Sequence, residues 1–175
     1  MADTPSTDPN NHQNYMQIAL SLAKKAPPKP TNFCVGAVLV DEATNQIVST
    51  GYTMELPGNT HAEQCCLLKH EEQLKSQKGE GGFNVASEKL VLYTTMEPCN
   101  KRASGNITCT ETILKSRNIA NGRITTVYVG VKEPEKFVGE NTGRAKLEEV
   151  GIGYVHVPGL EQEILAVATA GHVKH

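Results

Sequence analysis

The chain has 175 residues, 38% hydrophobic and 21% charged, with no tryptophan and a formal net charge of -2. That length suits one domain with a single core, and the charge balance supplies no basic field that would draw nucleic acid. No stretch approaches the ~20 apolar residues of a membrane helix.

Met1 to about residue 12 is rich in Asp, Thr, Pro and Asn, and is expected to be disordered ahead of a folded domain over 13–175. Tyr15, Ile18, Ala19 and Leu22 recur at helical spacing and predict a helix over 14–25, ended by Pro27, Pro28 and Pro30. The apolar run from Cys34 to Val40 fits a strand buried on both faces. A turn over 41–45 returns the chain as a second strand over 47–52. After Pro57-Gly58-Asn59 a helix is expected over 61–77, and a third strand over 89–94. A helix over 108–117, a fourth strand over 124–129, a short helix over 142–149, a fifth strand over 152–157 and a last helix over 160–170 follow. Strands alternating with helices imply an α/β sandwich with a mixed or parallel sheet.

The chemistry lies in His61-Ala62-Glu63, Pro98-Cys99 and Cys109. Together they offer one imidazole, two thiols and a carboxylate that need not bind metal. Three protein ligands of this kind suit a zinc site with its fourth position open to water, which distinguishes catalytic zinc from closed structural zinc. Zinc deaminases of nucleobases use His-x-Glu and Pro-Cys motifs in this way, with the Glu as general acid and base. Residues two apart lie ~200° around a helix, so His61 and Glu63 can serve one metal only if His61 stands at the helix entrance. Thr60 and Glu63 also fit a capping box, in which the cap would contribute ~0.5–2 kcal/mol. Thr108 and Glu111 fit a second one, placing Cys109 at a helix start where the dipole favours thiolate. Pro98 suits a helix start as well, with Cys99 in its first turn. Cys34, Cys65 and Cys66 read as core residues. The five cysteines, odd in number with two adjacent, make a poor disulfide framework. With no signal-peptide order at the N-terminus, they point to a reducing, cytoplasmic setting.

Five stretches make the chain resemble the cytidine-deaminase-like superfamily: residues 32–40, Gly51-Tyr52-Thr53, His61-Ala62-Glu63-Gln64, Thr95-Met96-Glu97-Pro98-Cys99, and Cys109. Most branches of that superfamily have Cys-x-x-Cys, whereas this chain has Cys-x9-Cys. The long insert with its Arg102-Ala103-Ser104-Gly105-Asn106 run, and Val129-Gly130-Val131-Lys132-Glu133-Pro134, resemble the fungal branch of the riboflavin-biosynthesis deaminases. The resemblance implies a three-layer αβα sandwich with a five-stranded mixed sheet flanked by helices. It implies zinc held by His61, Cys99 and Cys109, with Glu63 catalytic. It also implies hydrolysis of the 2-amino group of a small phosphorylated ribitylamino-pyrimidine, with Asn32, the Gly36-Ala37 backbone and Thr53 lining the base pocket. A phosphate calls for Arg or Lys, for which Lys101 and Arg102 in the insert are the candidates and Arg144 reads as a solvated charge. No nucleic-acid or membrane partner is expected, and analogy suggests a homodimer. A deaminase of cytosine or adenine type would instead show Cys-x-x-Cys. A catalytically silent zinc scaffold would lack Glu63 or fill the fourth position, for instance with Cys65 or Cys66.

Overall fold

The computed structural model describes residues 9–30, 32–78, 89–99, 108–116, 124–132 and 143–172. In chain order the elements are α1 (Pro9–Ala23), β1 (Gly36–Asp41), β2 (Gln46–Tyr52), α2 (Ala62–Lys78), β3 (Leu90–Met96), α3 (Cys109–Ser116), β4 (Ile124–Val131), α4 (Gly143–Glu149), β5 (Gly153–His156) and α5 (Glu161–Ala168). The strands form one sheet in the order β2-β1-β3-β4-β5. β1 is antiparallel to both β2 and β3, whereas β3, β4 and β5 run parallel, so the sheet is mixed. α2, α3 and α4 pack side by side on one face and α1 and α5 on the other, giving the expected three layers.

Burial on both faces explains the unbroken apolar runs. Every residue of β3 is buried, and β1 is buried from Gly36 to Val40. Leu39, Leu92 and Val127 are register partners across β1, β3 and β4, so they share one face and support α2 and α3. Val38, Tyr93 and Tyr128 are likewise aligned on the opposite face, under α1.

Two glycines set how closely the helices approach. A Cβ on Gly36 would fall 1.8 Å from the Ala19 carbonyl oxygen, and one on Gly51 would fall 2.3 Å from that of Ala62. α1 and α2 therefore lie directly against the sheet on opposite faces. The Gly51 contact seats the first residue of α2, beside His61, against β2.

α1 begins at Pro9, so residues 9–12 are helical rather than disordered, and the helix starts before its expected position at Asn14. A tertiary anchor decides this. His12 Nδ1 lies 2.6 Å from the Tyr93 hydroxyl, and its ring stacks on Tyr128 with centroids 4.4 Å apart. The hydrophobic periodicity of the helix carried no sign of a polar residue docking there. Elsewhere, the expected and observed ends differ by one or two residues, the usual scatter of helix and strand boundaries.

Candidate active site

The site forms where β3 ends and α2 and α3 begin. His61 is not helical; it precedes α2 as its N-cap, and its carbonyl accepts the Cys65 N–H at 2.9 Å. Gln64 Oε1 accepts the His61 backbone N–H at 3.3 Å, as the N3 residue of a capping box does. The expected box of Thr60 and Glu63 is thus replaced by one a residue later. The Thr60 hydroxyl instead donates to the Leu56 carbonyl at 2.9 Å. The shift has a chemical consequence: Glu63 is released from capping and turns into the protein.

There Glu63 is 4% exposed and accepts a 2.6 Å hydrogen bond from the Thr94 hydroxyl. Thr94 pairs with Ala37 across β1 and β3, so Ala37 lies on the same face of the sheet as Glu63. The Thr94 hydroxyl also lies 2.8 Å from the Met96 carbonyl oxygen. Burial pushes the Glu63 pKa up, against the opposing effects of the Thr94 hydroxyl and the His61 charge.

α3 provides the other wall. Thr108 caps it, accepting the Glu111 N–H on Oγ1 at 3.2 Å, as the sequence predicts, and Cys109 is the first helical residue. The freed backbone donors at this helix start are directed at Cys99. The Cys109 N–H donates to Cys99 Sγ at 3.3 Å, and the Thr110 N–H and hydroxyl donate to the Cys99 carbonyl at 3.1 and 2.9 Å. Cys99 itself lies in no helix, and the residues that follow it are outside the described part of the chain. The expected helix start at Pro98 therefore does not position this thiol; the start of α3 does.

His61 Nδ1 stands 3.4 Å from Cys99 Sγ and 3.3 Å from Cys109 Sγ. All three donor atoms lie within 4.8 Å of one another. Ligands bound at zinc's usual N and S distances around a tetrahedral centre are about 3.5 Å apart, so the spacing fits such a centre. The electrostatics fit as well. A hydrogen bond from Cys109 draws the Cys99 thiol pKa down, helped by His61, while the same bond and burial hold that of Cys109 up. The first proton of the pair leaves readily and the second does not. A divalent cation is what would stabilise the second thiolate. Among the described residues this is the one such group of His, Cys, Asp and Glu. Cys65 and Cys66 do not join it; both are fully buried in the body of α2, and burial pushes the Cys66 thiol up to about 12.

Of the other expected site residues, Asn32 lies before β1 and donates through Nδ2 to Met54 Sδ at 3.0 Å. Thr53 is buried, and its hydroxyl accepts the Val35 N–H at 2.9 Å and donates to the Phe33 carbonyl at 3.0 Å. Both functions of that hydroxyl are used in fixing the chain from Phe33 to Val35. Gly36 donates its N–H to Thr95 Oγ1 at 3.2 Å. Lys101 and Arg102 are outside the described residues. Arg144 is half exposed, paired with Glu148 at 2.6 Å, and its guanidinium lies 4.8 Å from the Tyr154 ring centroid.

Two supporting residues escaped the sequence reading. Thr94 lies in a run that reads only as strand. Tyr154, on β5, donates to Glu97 Oε2 at 2.8 Å and so braces the turn that carries Cys99. Neither carries a motif, because each acts through a partner distant in sequence.

Comparison with known proteins agrees with this geometry. The model of the cytidine and deoxycytidylate deaminase zinc-binding region matches residues 9–131. A diaminohydroxyphosphoribosylamino-pyrimidine deaminase of Schizosaccharomyces pombe is 39% identical over 94% of this chain, which covers 36% of that protein. The riboflavin biosynthesis protein RibD of Aquifex aeolicus is 35% identical over 80% of this chain, covering 33% of its own length. The chain thus spans about a third of these two relatives. The Rib2 deaminase of Aspergillus oryzae, solved as a C-terminal deletion mutant in complex with DARIPP, superposes with a TM-score of 0.78. It is 46% identical, with 93% of this chain and 92% of that one covered. The match over residues 9–131 includes His61, Glu63, Cys99 and Cys109, and on this ground the chain belongs to the family of the cytidine and deoxycytidylate deaminase zinc-binding region.

Proposed function

We propose that the protein is a zinc-dependent hydrolase of riboflavin biosynthesis. Its reaction would convert 2,5-diamino-6-ribitylamino-4(3H)-pyrimidinone 5′-phosphate and water to 5-amino-6-ribitylamino-uracil 5′-phosphate and ammonia. The observation that carries this reading is the convergence of the His61, Cys99 and Cys109 donors beside the buried Glu63 carboxylate. The likeness to the Aspergillus oryzae Rib2 deaminase, along nearly the whole of both chains, supports the choice of substrate.

His61, Cys99 and Cys109 would hold the zinc. Bound there, zinc supplies Lewis-acid activation of the water that replaces the amine. Glu63 takes a proton from that water and returns protons to the ring nitrogen and the departing amine. A buried carboxyl with a raised pKa keeps its proton more readily than an exposed one, which suits the acid half of this cycle. Asn32 and the backbone at Gly36 and Ala37 contact the base, and Thr53 contributes by holding the pocket wall. Lys101 and Arg102 meet the phosphate.

Thr94 orients the Glu63 carboxylate in this scheme. Thr94→Val keeps the side-chain shape and removes the hydroxyl, so kcat is expected to fall about 10–100-fold, the effect of one hydrogen bond to a charged group. The zinc content, measured by metal analysis, should not change. Unaltered kcat would remove Thr94 from the mechanism.

Ammonia release from the purified protein tests the substrate. The ribitylamino-pyrimidine phosphate should be turned over, and cytidine and deoxycytidylate should not. Turnover of cytidine alone would overturn the assignment. A homodimer and a cytoplasmic location belong to the same proposal; sedimentation of the zinc-loaded protein measures the first. Among the described residues no helix is long and apolar enough to cross a membrane.

A further inference from the structure

The far end of the chain reaches the segment that carries Asn32. The Ala168 carbonyl accepts the Cys34 N–H at 3.0 Å. Gly171 packs so tightly on the chain at Pro28 and Lys29 that a Cβ there would lie 2.2 Å from the Lys29 nitrogen. His172 Nε2 is 2.7 Å from the Asn32 carbonyl oxygen, and its ring centroid is 4.9 Å from that of Phe33. A carbonyl only accepts, so this Nε2 carries a proton and donates it.

The segment from Asn32 to Val35 belongs to no helix or strand. Its backbone is therefore set by what grips it: Thr53 from one side, and Ala168 and His172 from the other. The gripped segment presents the Asn32 amide, whose Nδ2 donates to the Met54 thioether. A thioether sulfur is a weak acceptor. Met54 also holds a φ of 64°, in the left-handed region that such a side chain seldom occupies. The Met54 N–H donates to the Thr60 carbonyl at 2.7 Å, and Thr60 immediately precedes His61. A strong donor facing a weak acceptor can exchange that acceptor for an oxygen or nitrogen of a ligand at little cost.

We propose that His172 is a positioning residue for the pyrimidine substrate: by holding the Asn32 carbonyl it aims the Asn32 amide at an acceptor on the substrate ring. This rests on the reading of Asn32 as a substrate contact. It extends the site to a residue at the opposite end of the chain, which no active-site motif includes.

The test uses the full chain loaded with zinc and the ribitylamino-pyrimidine phosphate. His172→Phe keeps a ring against Phe33 and removes the N–H. KM is expected to rise about tenfold, the effect of one net hydrogen bond, while kcat stays within about twofold of the parent. His172→Gln restores an N–H donor and should recover most of the lost KM. Zinc content should be unchanged in both variants, and Tm should fall by no more than about 5 °C in His172→Phe, the effect of one lost hydrogen bond on a chain of this size. Asn32→Ala, assayed in parallel, separates the two ideas. A raised KM in Asn32→Ala with no change in His172→Phe would overturn the role of His172 and leave the reading of Asn32 standing. No change in Asn32→Ala would overturn that reading and the inference with it. A fall of kcat together with Tm in both His172 variants, with KM unmoved, would show a merely structural contact and overturn the proposal.

Discussion

Glu63→Gln is expected to lower kcat by about 10²–10⁴-fold, the range for loss of a positioned general acid and base, while zinc stays bound. The substitution keeps the shape of the side chain, and a glutamine amide can still meet the Thr94 hydroxyl 2.6 Å away. It cannot carry a proton between water, ring nitrogen and amine. His61, Cys99 and Cys109 are untouched, so metal analysis should match the parent. The same variant carries a stability prediction of opposite sign. Burial raises the Glu63 pKa in the fold above the unfolded value of ~4.3. A raised folded pKa contributes stability that is full below the unfolded value and is lost as pH rises through the folded one. Glutamine has no charge to bury and does not lose that contribution. With zinc removed from both proteins, Glu63→Gln should therefore melt no lower than the parent near pH 7. Its advantage should widen as the pH is raised from ~4 to ~7, the direction that deprotonation of a buried carboxyl imposes. Parent-like turnover by Glu63→Gln would sink the assigned chemistry, and a lower melting temperature at neutral pH would sink the account of its burial.

The sequence was most legible where function depends on short spacing. His61 and Glu63 could serve one metal only with His61 outside the helix, a consequence of helix geometry alone, and α2 indeed starts at Ala62. The Thr108 cap was legible for the same reason, because its donor lies three residues away at Glu111. The Thr60–Glu63 box failed because Gln64 offers a competing cap for His61, and local pattern cannot choose between two boxes one residue apart. Contacts between distant elements left no trace. His12 on Tyr93, Thr94 on Glu63, Tyr154 on Glu97 and His172 on Asn32 join residues from 31 to 140 positions apart. Each is a polar side chain whose partner is fixed by how distant elements pack together, which periodicity does not reveal. The parallel turn from β3 to β4 and on to β5 brings Tyr154 to the Cys99 turn.

Removal of zinc should abolish turnover yet leave the protein folded. The two thiol-bearing segments are joined without a metal, since the Thr110 N–H and hydroxyl both hold the Cys99 carbonyl and the Cys109 N–H meets the Cys99 sulfur. The sheet beneath them is buried from end to end in β3. The fold therefore does not wait for the metal as a small zinc finger does. The metal does add stability by binding only the native state. At a free concentration 1,000 times its dissociation constant it contributes about 4 kcal/mol, or roughly 10 °C in Tm for a domain of this size. Scanning calorimetry before and after chelation should show that fall with the transition still cooperative, and readdition of zinc should restore both Tm and ammonia release. Cys109→Ala should behave as the chelated protein does even with zinc in excess, because it removes a ligand and its thiolate. Cys66→Ala, at a fully buried position outside the metal group, should keep zinc and turnover, losing only packing. That contrast separates a ligand from a core cysteine on the same side of the sheet. Turnover surviving complete chelation, or a Cys66→Ala protein that loses its zinc, would require a different assignment of the thiols.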